Sequence, residues 1–303
     1  MSFRSGFVAV LGRPNVGKSS LVNRLVGERV AIVTPRPQTT RRRIAGVLHL
    51  PAAQLVFLDT PGVHRARSGL GRWMQAETRH AVEGIEAVCL VVDAASPAPG
   101  EGDRRAARLL RPAECPAFLV LNKIDLVSAA DRAARAPAYL SLAPDDRPFA
   151  GVFETSAETG EGLDVLVAAV LAGMPEGPEY FPAGVVTDQP EQYLAAELVR
   201  EQCLLQLREE VPHALAVTVE AWEVRESGPL YVLATISVDR ETHKGIVIGR
   251  GGSMLRAIGE PSRLELARRL GTPVYLELRV KVREGWRDRP GSLETLGFGG
   301  KTH

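Results

Sequence analysis

The sequence predicts an α/β domain built on a mostly parallel six-stranded sheet, followed by a smaller α+β domain. Three observations predict it. Over the first 172 residues, short apolar runs alternate with amphipathic stretches. Residues 174–190 hold four prolines and two glycines and end that alternation. The remainder follows a different order: helix, strand, strand, Gly-rich turn, helix, strand.

In chain order the expected strands of the first domain are 7–11, 44–50, 54–58, 87–92, 117–121 and 149–154. The expected helices are 19–26, 70–83, 102–110, 129–141 and 162–171. Strand-helix alternation implies helices on both faces of an open sheet, with ligands beyond the C-terminal strand ends. The second domain is read as a helix at 192–208, strands at 214–224 and 230–239, a short helix at 243–247, a helix at 253–270 and a strand at 274–282. That last strand alternates apolar with polar residues, as a half-buried strand should. The boundaries are 1–174 for the first domain, 175–190 for a linker, 191–288 for the second domain and 289–303 for a flexible, Gly- and Pro-rich tail.

At 303 residues the chain suits two domains of ordinary size. With 45% hydrophobic and 24% charged residues, its composition is that of a soluble globular protein. No apolar run approaches transmembrane length, and the start of the chain leaves no room for a signal peptide, so a cytoplasmic protein is expected. The three cysteines show no metal-ligand spacing, and Cys89 and Cys115 read as buried thiols. The six histidines form no metal motif. The net charge of +1 hides an asymmetry: residues 240–290 carry 12 Lys/Arg against 6 Asp/Glu. Such a local surplus suits a polyanionic partner, and a solvated charged face is the other reading.

Gly12-Arg13-Pro14-Asn15-Val16-Gly17-Lys18-Ser19 matches the GxxxxGK[ST] phosphate loop, between an apolar strand and a helix. Its glycines let the backbone approach phosphate oxygens, and its amides and the helix N-terminus attract negative charge. Lys18 is expected at the β- and γ-phosphates and Ser19 on Mg²⁺, with Asn15, Val16 and Ser20 completing the loop's contacts. Asn122-Lys123-Ile124-Asp125 reads the base. The Asp125 carboxylate accepts from guanine N1–H and the exocyclic amine, donors that adenine lacks. Asn122 bridges to the phosphate loop, the Lys123 stem covers the base, and after Ser156 the Ala157 amide donates to guanine O6. Asp59-Thr60-Pro61-Gly62 places Asp59 on Mg²⁺ through water and the Gly62 amide on the γ-phosphate. The polar loop between the phosphate loop and Asp59 holds Thr39 and Thr40. A switch needs one of them to ligate Mg²⁺ when the γ-phosphate is present; Thr40 is preferred, Thr39 is close behind, and ordinary loop hydroxyls are the alternative.

GRPNVGKS, QTTR, DTPG and NKID together resemble the Era subfamily of small GTPases. In Ras-like enzymes a Gln after DxxG orients the attacking water. Val63 stands there, a departure the Era family shares, so Lys18, Thr40, Gly62 and Asn15 are the candidate catalytic set with a backbone carbonyl placing the water. Related GTPases with Asn at the position of Asn15 recruit K⁺ in place of an arginine finger, which implies slow intrinsic hydrolysis stimulated by K⁺ or a partner. A structural loop cap is the alternative for Asn15.

In the second domain Gly249-Arg250-Gly251-Gly252 fits the GxxG loop of KH domains, and the order α-β-β-α-α-β is that of type II. Ile246 and Ile248 are candidate liners of the base groove. Lys244, Arg250, Arg256, Lys281 and Arg283 are candidate phosphate contacts, each with a solvated surface charge as its alternative; Arg279, Lys281 and Arg283 alternate and are expected to share a face. The pairing of a P-loop GTPase with a KH domain extends the resemblance to the whole chain. It implies GTP/GDP and the 3′ end of small-subunit ribosomal RNA as ligands, a role in small-subunit assembly, and peripheral contact with the inner membrane. A monomer is expected. The competing readings are a C-terminal domain that binds protein rather than RNA, and a P-loop kinase or ATPase, against which Asp125 argues.

Overall fold

In the central strands of the first unit, alternate side chains enter two separate cores. The computed structural model describes residues 2–144 and 147–299. The chain divides into two units, Met1–Ala66 with Met74–Asp188, and Arg67–Trp73 with Gln189–His303. In the first unit β1 (Arg4–Leu11), β2 (Ile44–Leu50), β3 (Ala53–Asp59), β4 (Ala87–Asp93), β5 (Ala117–Asn122) and β6 (Gly151–Thr155) form one sheet in the order β2-β3-β1-β4-β5-β6. Only β2 runs antiparallel to its neighbour. In β4, Val88, Leu90 and Val92 enter one core and Ala87, Cys89 and Val91 the other. That is why the strand reads as a continuous apolar run. Each such aliphatic side chain contributes about 1.5–3 kcal/mol of burial.

The intervening helices are α1 (Lys18–Val26), α2 (Gly69–His80), α3 (Glu101–Ala107), α4 (Ala129–Leu140) and α5 (Leu163–Ala172). They match the expected positions within three residues, α2 and α3 each ending three residues early, at His80 and Ala107. The Pro-rich stretch is not a free spacer. Val47 N–H donates to Val186 O at 2.9 Å, Ala45 N–H to Asp188 Oδ1 at 3.1 Å and Ser5 Oγ to Pro178 O at 2.6 Å. Gln54 Oε1 accepts from the Tyr180 and Phe181 amides. The segment thereby covers the open edge of β2, whose unpaired amides would otherwise be exposed.

In the second unit β7 (Leu215–Glu223), β8 (Leu230–Val238) and β9 (Val274–Val282) form a sheet in that order, β7 antiparallel and β9 parallel to β8. The helices α6 (Glu191–Gln206), α7 (Glu241–Ile248) and α8 (Ser253–Leu270) complete the expected α-β-β-α-α-β order. Val199, Cys203, Ile236, Val247 and Ile258 meet in its core.

The tail corrects the sequence reading. Pro290–Thr295 forms a helix, α9, and Leu293 and Leu296 are buried. Trp286 is fully buried, donates from Nε1 to Ala214 O at 3.0 Å and stacks on Phe298. Pro290 opens this helix and Gly297, at φ +80°, follows its end. The Pro and Gly that suggested looseness are helix punctuation. Residues 300–303 of the expected tail lie outside the described residues. Among the described residues no helix is long and apolar enough to cross a membrane.

Candidate functional site

The phosphate loop owes its shape to two close approaches. Gly12 has φ +156°, and a Cβ there would stand 2.4 Å from Val91 O. Gly17 has φ +93°, and its Cβ would stand 2.4 Å from Asn122 Nδ2. No side chain fits at either position. The loop delivers the chain into α1 at Lys18, whose first amides have no partner within the helix and suit an anion.

Lys18 is buried, and Nζ donates to Gly12 O at 3.3 Å and Arg13 O at 3.1 Å. Burial pushes its pKa down to about 8, against the raising influence of Asp59, with Arg13 adding to the fall. Asp59 is fully buried, and burial raises its carboxyl above the usual range despite Lys18 and the hydroxyls of Ser19 and Thr40. Ser19 Oγ donates to Asp59 Oδ2 at 2.6 Å, Thr40 Oγ1 donates to the same oxygen at 3.2 Å, and the two hydroxyls are 2.8 Å apart. Asp59 Oδ1 is buried without a hydrogen-bond partner. This all-oxygen cluster with an unsatisfied carboxylate oxygen fits a hard divalent cation such as Mg²⁺.

The structure separates the two threonines. Thr40 joins Ser19 and Asp59, whereas Thr39 Oγ1 donates to Arg36 O at 2.8 Å and lies 2.7 Å from Thr34 Oγ1, holding its own loop together. Asn15, at φ +65°, donates from Nδ2 to Pro35 O at 2.9 Å and so ties the phosphate loop to the start of that segment. Asn15, Lys18, Ser19, Ser20, Thr40 and Gly62 line one cleft, which Thr39 also borders. A Cβ on Gly62 would stand 2.7 Å from Pro14 Cα, and the next amide, Val63 N–H, donates to Gly12 O at 3.0 Å. The Val63 side chain is buried in the core with Leu11 and Leu90 and offers no hydrogen bond to water.

At the other end Asn122 bridges as expected: Nδ2 donates to Val16 O at 2.9 Å, and Oδ1 accepts from Thr155 Oγ1 at 3.4 Å. Asp125 Oδ1 accepts from Ser156 Oγ at 2.6 Å. The Ala157 amide, expected to donate to the base, here donates to Asn122 Oδ1 at 3.1 Å. Lys123, at φ +68°, donates from Nζ to Asn15 O at 2.7 Å and Asp93 Oδ2 at 2.8 Å.

Asp93 and Asp103 escape sequence reasoning because no motif includes them. A signal existed for Asp93. It ends an apolar strand and pairs in register with Asn122, which ends the neighbouring one.

In the second unit Gly249, Gly251 and Gly252 all have positive φ and form the turn between α7 and α8. A Cβ on Gly249 would stand 2.7 Å from Met254 N. Arg250 and Arg256 are exposed on this side, Ile246 is exposed and Ile248 half-buried. Lys244 lies 3.8 Å from Glu241. Lys281 is the correction. The residues Leu276, Leu278, Val280 and Val282 of β9 pack into the helix-side core, which leaves Lys281 and Arg279 on the opposite face. There Lys281 bonds Glu220 at 2.9 and 3.0 Å, so it is not assembled with Arg250. Arg283 follows the end of β9, and its amide donates to Val238 O at 2.8 Å.

Known proteins share this arrangement. The family described as 50S ribosome-binding GTPase matches residues 7–123, and the KH domain family matches residues 210–287. The chain is similar to GTPase Era of Heliobacterium modesticaldum, 44% identical over 295 residues, 97% of each chain. Among solved structures it resembles Era in complex with MgGDPNP and nucleotides 1506–1542 of 16S ribosomal RNA, with TM-score 0.92 and 37% identity over 98% of this chain and 99% of that one. An Aquifex aeolicus Era variant bound to GDP·AlF4⁻ gives TM-score 0.92 and 36% identity over 98% and 100% of the two chains. GTPase Era of Geobacter metallireducens is 44% identical over 297 residues, 98% of both chains. With both domains matched at that identity and coverage, this chain belongs to the Era family of GTPases.

Proposed function

We propose that the chain is a GTP-hydrolysing switch whose second unit captures the single-stranded 3′ end of small-subunit ribosomal RNA during assembly of the small ribosomal subunit. One observation carries the reading: the same chain holds a guanine-type carboxylate, Asp125, steadied by Ser156, and a GxxG turn at Gly249-Arg250-Gly251-Gly252. The related Era bound to MgGDPNP and 16S ribosomal RNA supports it.

In this reading Lys18 and the first amides of α1 neutralise the β- and γ-phosphates. Ser19, Thr40 and Asp59 would hold Mg²⁺, which would supply neutralisation of the charge developing on the phosphate oxygens. Thr40 would serve as a Mg²⁺ ligand when the γ-phosphate is present and would lose that role on hydrolysis, which loosens its loop. The Gly62 amide contacts the γ-phosphate, and a backbone carbonyl places the attacking water, since Val63 has no polar group. Asn15 offers its side-chain oxygen to K⁺. Intrinsic hydrolysis is slow on this account. In the second unit Arg250 carries the main phosphate contact, assisted by Lys244 and Arg256, and bases lie against Ile246 and Ile248. The proposed location is the cytoplasm, with peripheral inner-membrane contact resting on the resemblance alone.

Crosslinking and sequencing of bound RNA with a non-hydrolysable GTP analogue tests the proposal. Crosslinks at the 3′ end of small-subunit ribosomal RNA, lost in Gly249→Asp, are expected. Protein crosslinks without RNA would overturn it.

A further inference from the structure

We infer that Asp93, at the end of β4, is a positioning residue for guanine binding that acts through Lys123. The inference rests on the reading that the Lys123 stem covers one face of the base.

Lys123 is a non-glycine residue in the left-handed region, a conformation that its surroundings must impose. Its ammonium is the only flexible end of that side chain, and it is strapped twice, to Asn15 O at 2.7 Å and to Asp93 Oδ2 at 2.8 Å. The stem is thereby drawn from the base-reading loop toward the phosphate loop. An ammonium held by a carboxylate and a carbonyl leaves its four methylenes as a fixed apolar wall.

Asp93 is itself fixed. Its Oδ1 accepts from Ala95 N–H at 3.1 Å. Arg13 Nη2 lies 3.7 Å from its Oδ2 and donates to Ser96 Oγ at 3.1 Å, while Arg13 Nε lies 3.2 Å from Asp103 Oδ1. Asp103, buried, accepts from Gly100 N–H at 2.9 Å. From beneath, the buried Tyr139 hydroxyl reaches the carbonyls of Asp93, Ser96 and Ala98 at 3.2–3.3 Å. The whole loop after β4 is thus braced. Asp93 stands with one cation from the phosphate loop and one from the base-reading loop, which couples the two halves of the nucleotide site. Removing its charge leaves the Lys123 ammonium with the Asn15 carbonyl alone.

The test is a double-mutant cycle on GDP affinity, measured by fluorescence titration of wild type, Asp93→Asn, Lys123→Ala and the double variant. Asp93→Asn is expected to weaken GDP and GTP alike by about tenfold, as loss of one charge-assisted hydrogen bond implies. In the Lys123→Ala background the same change is expected to cost less than about twofold, because the group it acts through is gone. Additive losses would show a merely structural role and overturn the inference. So would unchanged GDP affinity in Asp93→Asn. Wild-type affinity in Lys123→Ala would remove the base-wall reading, and the inference with it. Should Asp93→Asn fail to fold, Asp93→Ser enters the same cycle and the same outcomes decide.

Discussion

Ser156 Oγ donates a 2.6 Å hydrogen bond to Asp125 Oδ1, so the carboxylate proposed to read the base is oriented by the loop after the adjacent strand. A carboxylate aimed at paired donors discriminates strongly, because the wrong base leaves a charge unmatched. Asp125→Asn is expected to weaken GTP by about 10²-fold or more and to favour xanthosine triphosphate, read by nucleotide competition. Ser156→Ala, which removes only the orienting bond, is expected to weaken GTP about five- to tenfold without changing base preference. Unchanged GTP preference in Asp125→Asn refutes the assignment.

The separation of Thr39 from Thr40 gives a paired test. Thr40 shares Asp59 Oδ2 with Ser19, while Thr39 donates to Arg36 O and lies against Thr34 Oγ1. Thr40→Ala is expected to lower the hydrolysis rate by at least about tenfold and to raise the Mg²⁺ concentration needed for half-maximal rate. Thr39→Ala is expected to stay within about threefold of wild type, at the cost of neutral hydrogen bonds to Arg36 and Thr34. The reverse order would reassign the switch ligand.

Asn15 donates to Pro35 O through Nδ2, which leaves its Oδ1 available to a monovalent cation and equally serves as a loop tie. Steady-state hydrolysis in K⁺ and in Na⁺ separates the roles. Faster turnover in K⁺, lost in Asn15→Ala, is the expected result. Equal rates in the two salts for both proteins leave Asn15 as a tie alone.

Much of this site is legible because its chemistry depends on local backbone shape. Gly12 and Gly17 avoid Val91 and Asn122, so their spacing from Lys18 is fixed along the chain. The strands are legible because β4 fills two cores and must be apolar throughout. What the sequence hides is pairing between distant segments. Asp93 meets Lys123 thirty positions away, and Lys281 meets Glu220 sixty-one positions away. Neither contact leaves a periodic trace. The tail is hidden for a different reason: composition does not distinguish a loose segment from a short helix begun by Pro290 and ended before Gly297.

Glu265 supplies a pH-dependent prediction within α8. Arg268 grips it through two bonds of 2.8 and 2.9 Å and Arg269 adds one of 2.9 Å, which lowers its pKa to about 2. A folded pKa below the unfolded value means stabilisation present above about 4.5 and lost as pH falls toward 2. Because Arg268 is well exposed, solvent screening limits the effect. Glu265→Gln is expected to cost about 1 kcal/mol at pH 7 in denaturant unfolding, with the difference shrinking below pH 4.5. A difference that persists undiminished at pH 2.5 would assign it to packing.

Gly249 and Lys281 divide the RNA surface. Gly249 has φ +72°, and a side chain there would press on Met254 N at the start of α8. Gly249→Asp adds strain and a negative charge where the GxxG turn would clamp the nucleic-acid backbone. RNA affinity is expected to fall more than tenfold, while GDP affinity is unaltered because the nucleotide site lies in the first unit. Lys281, on the far face and paired with Glu220, is expected to change RNA affinity less than about twofold when replaced by Ala, since an exposed pair contributes little. Arg250→Ala should also flatten the dependence of log affinity on log salt by about one unit, the mark of one lost phosphate contact. Titration of fluorescent single-stranded RNA at two or more salt concentrations reads all three variants. If Lys281→Ala weakened binding as strongly as Arg250→Ala, RNA would have to wrap onto the open face of the sheet, and the groove beside the GxxG turn could not be the whole site.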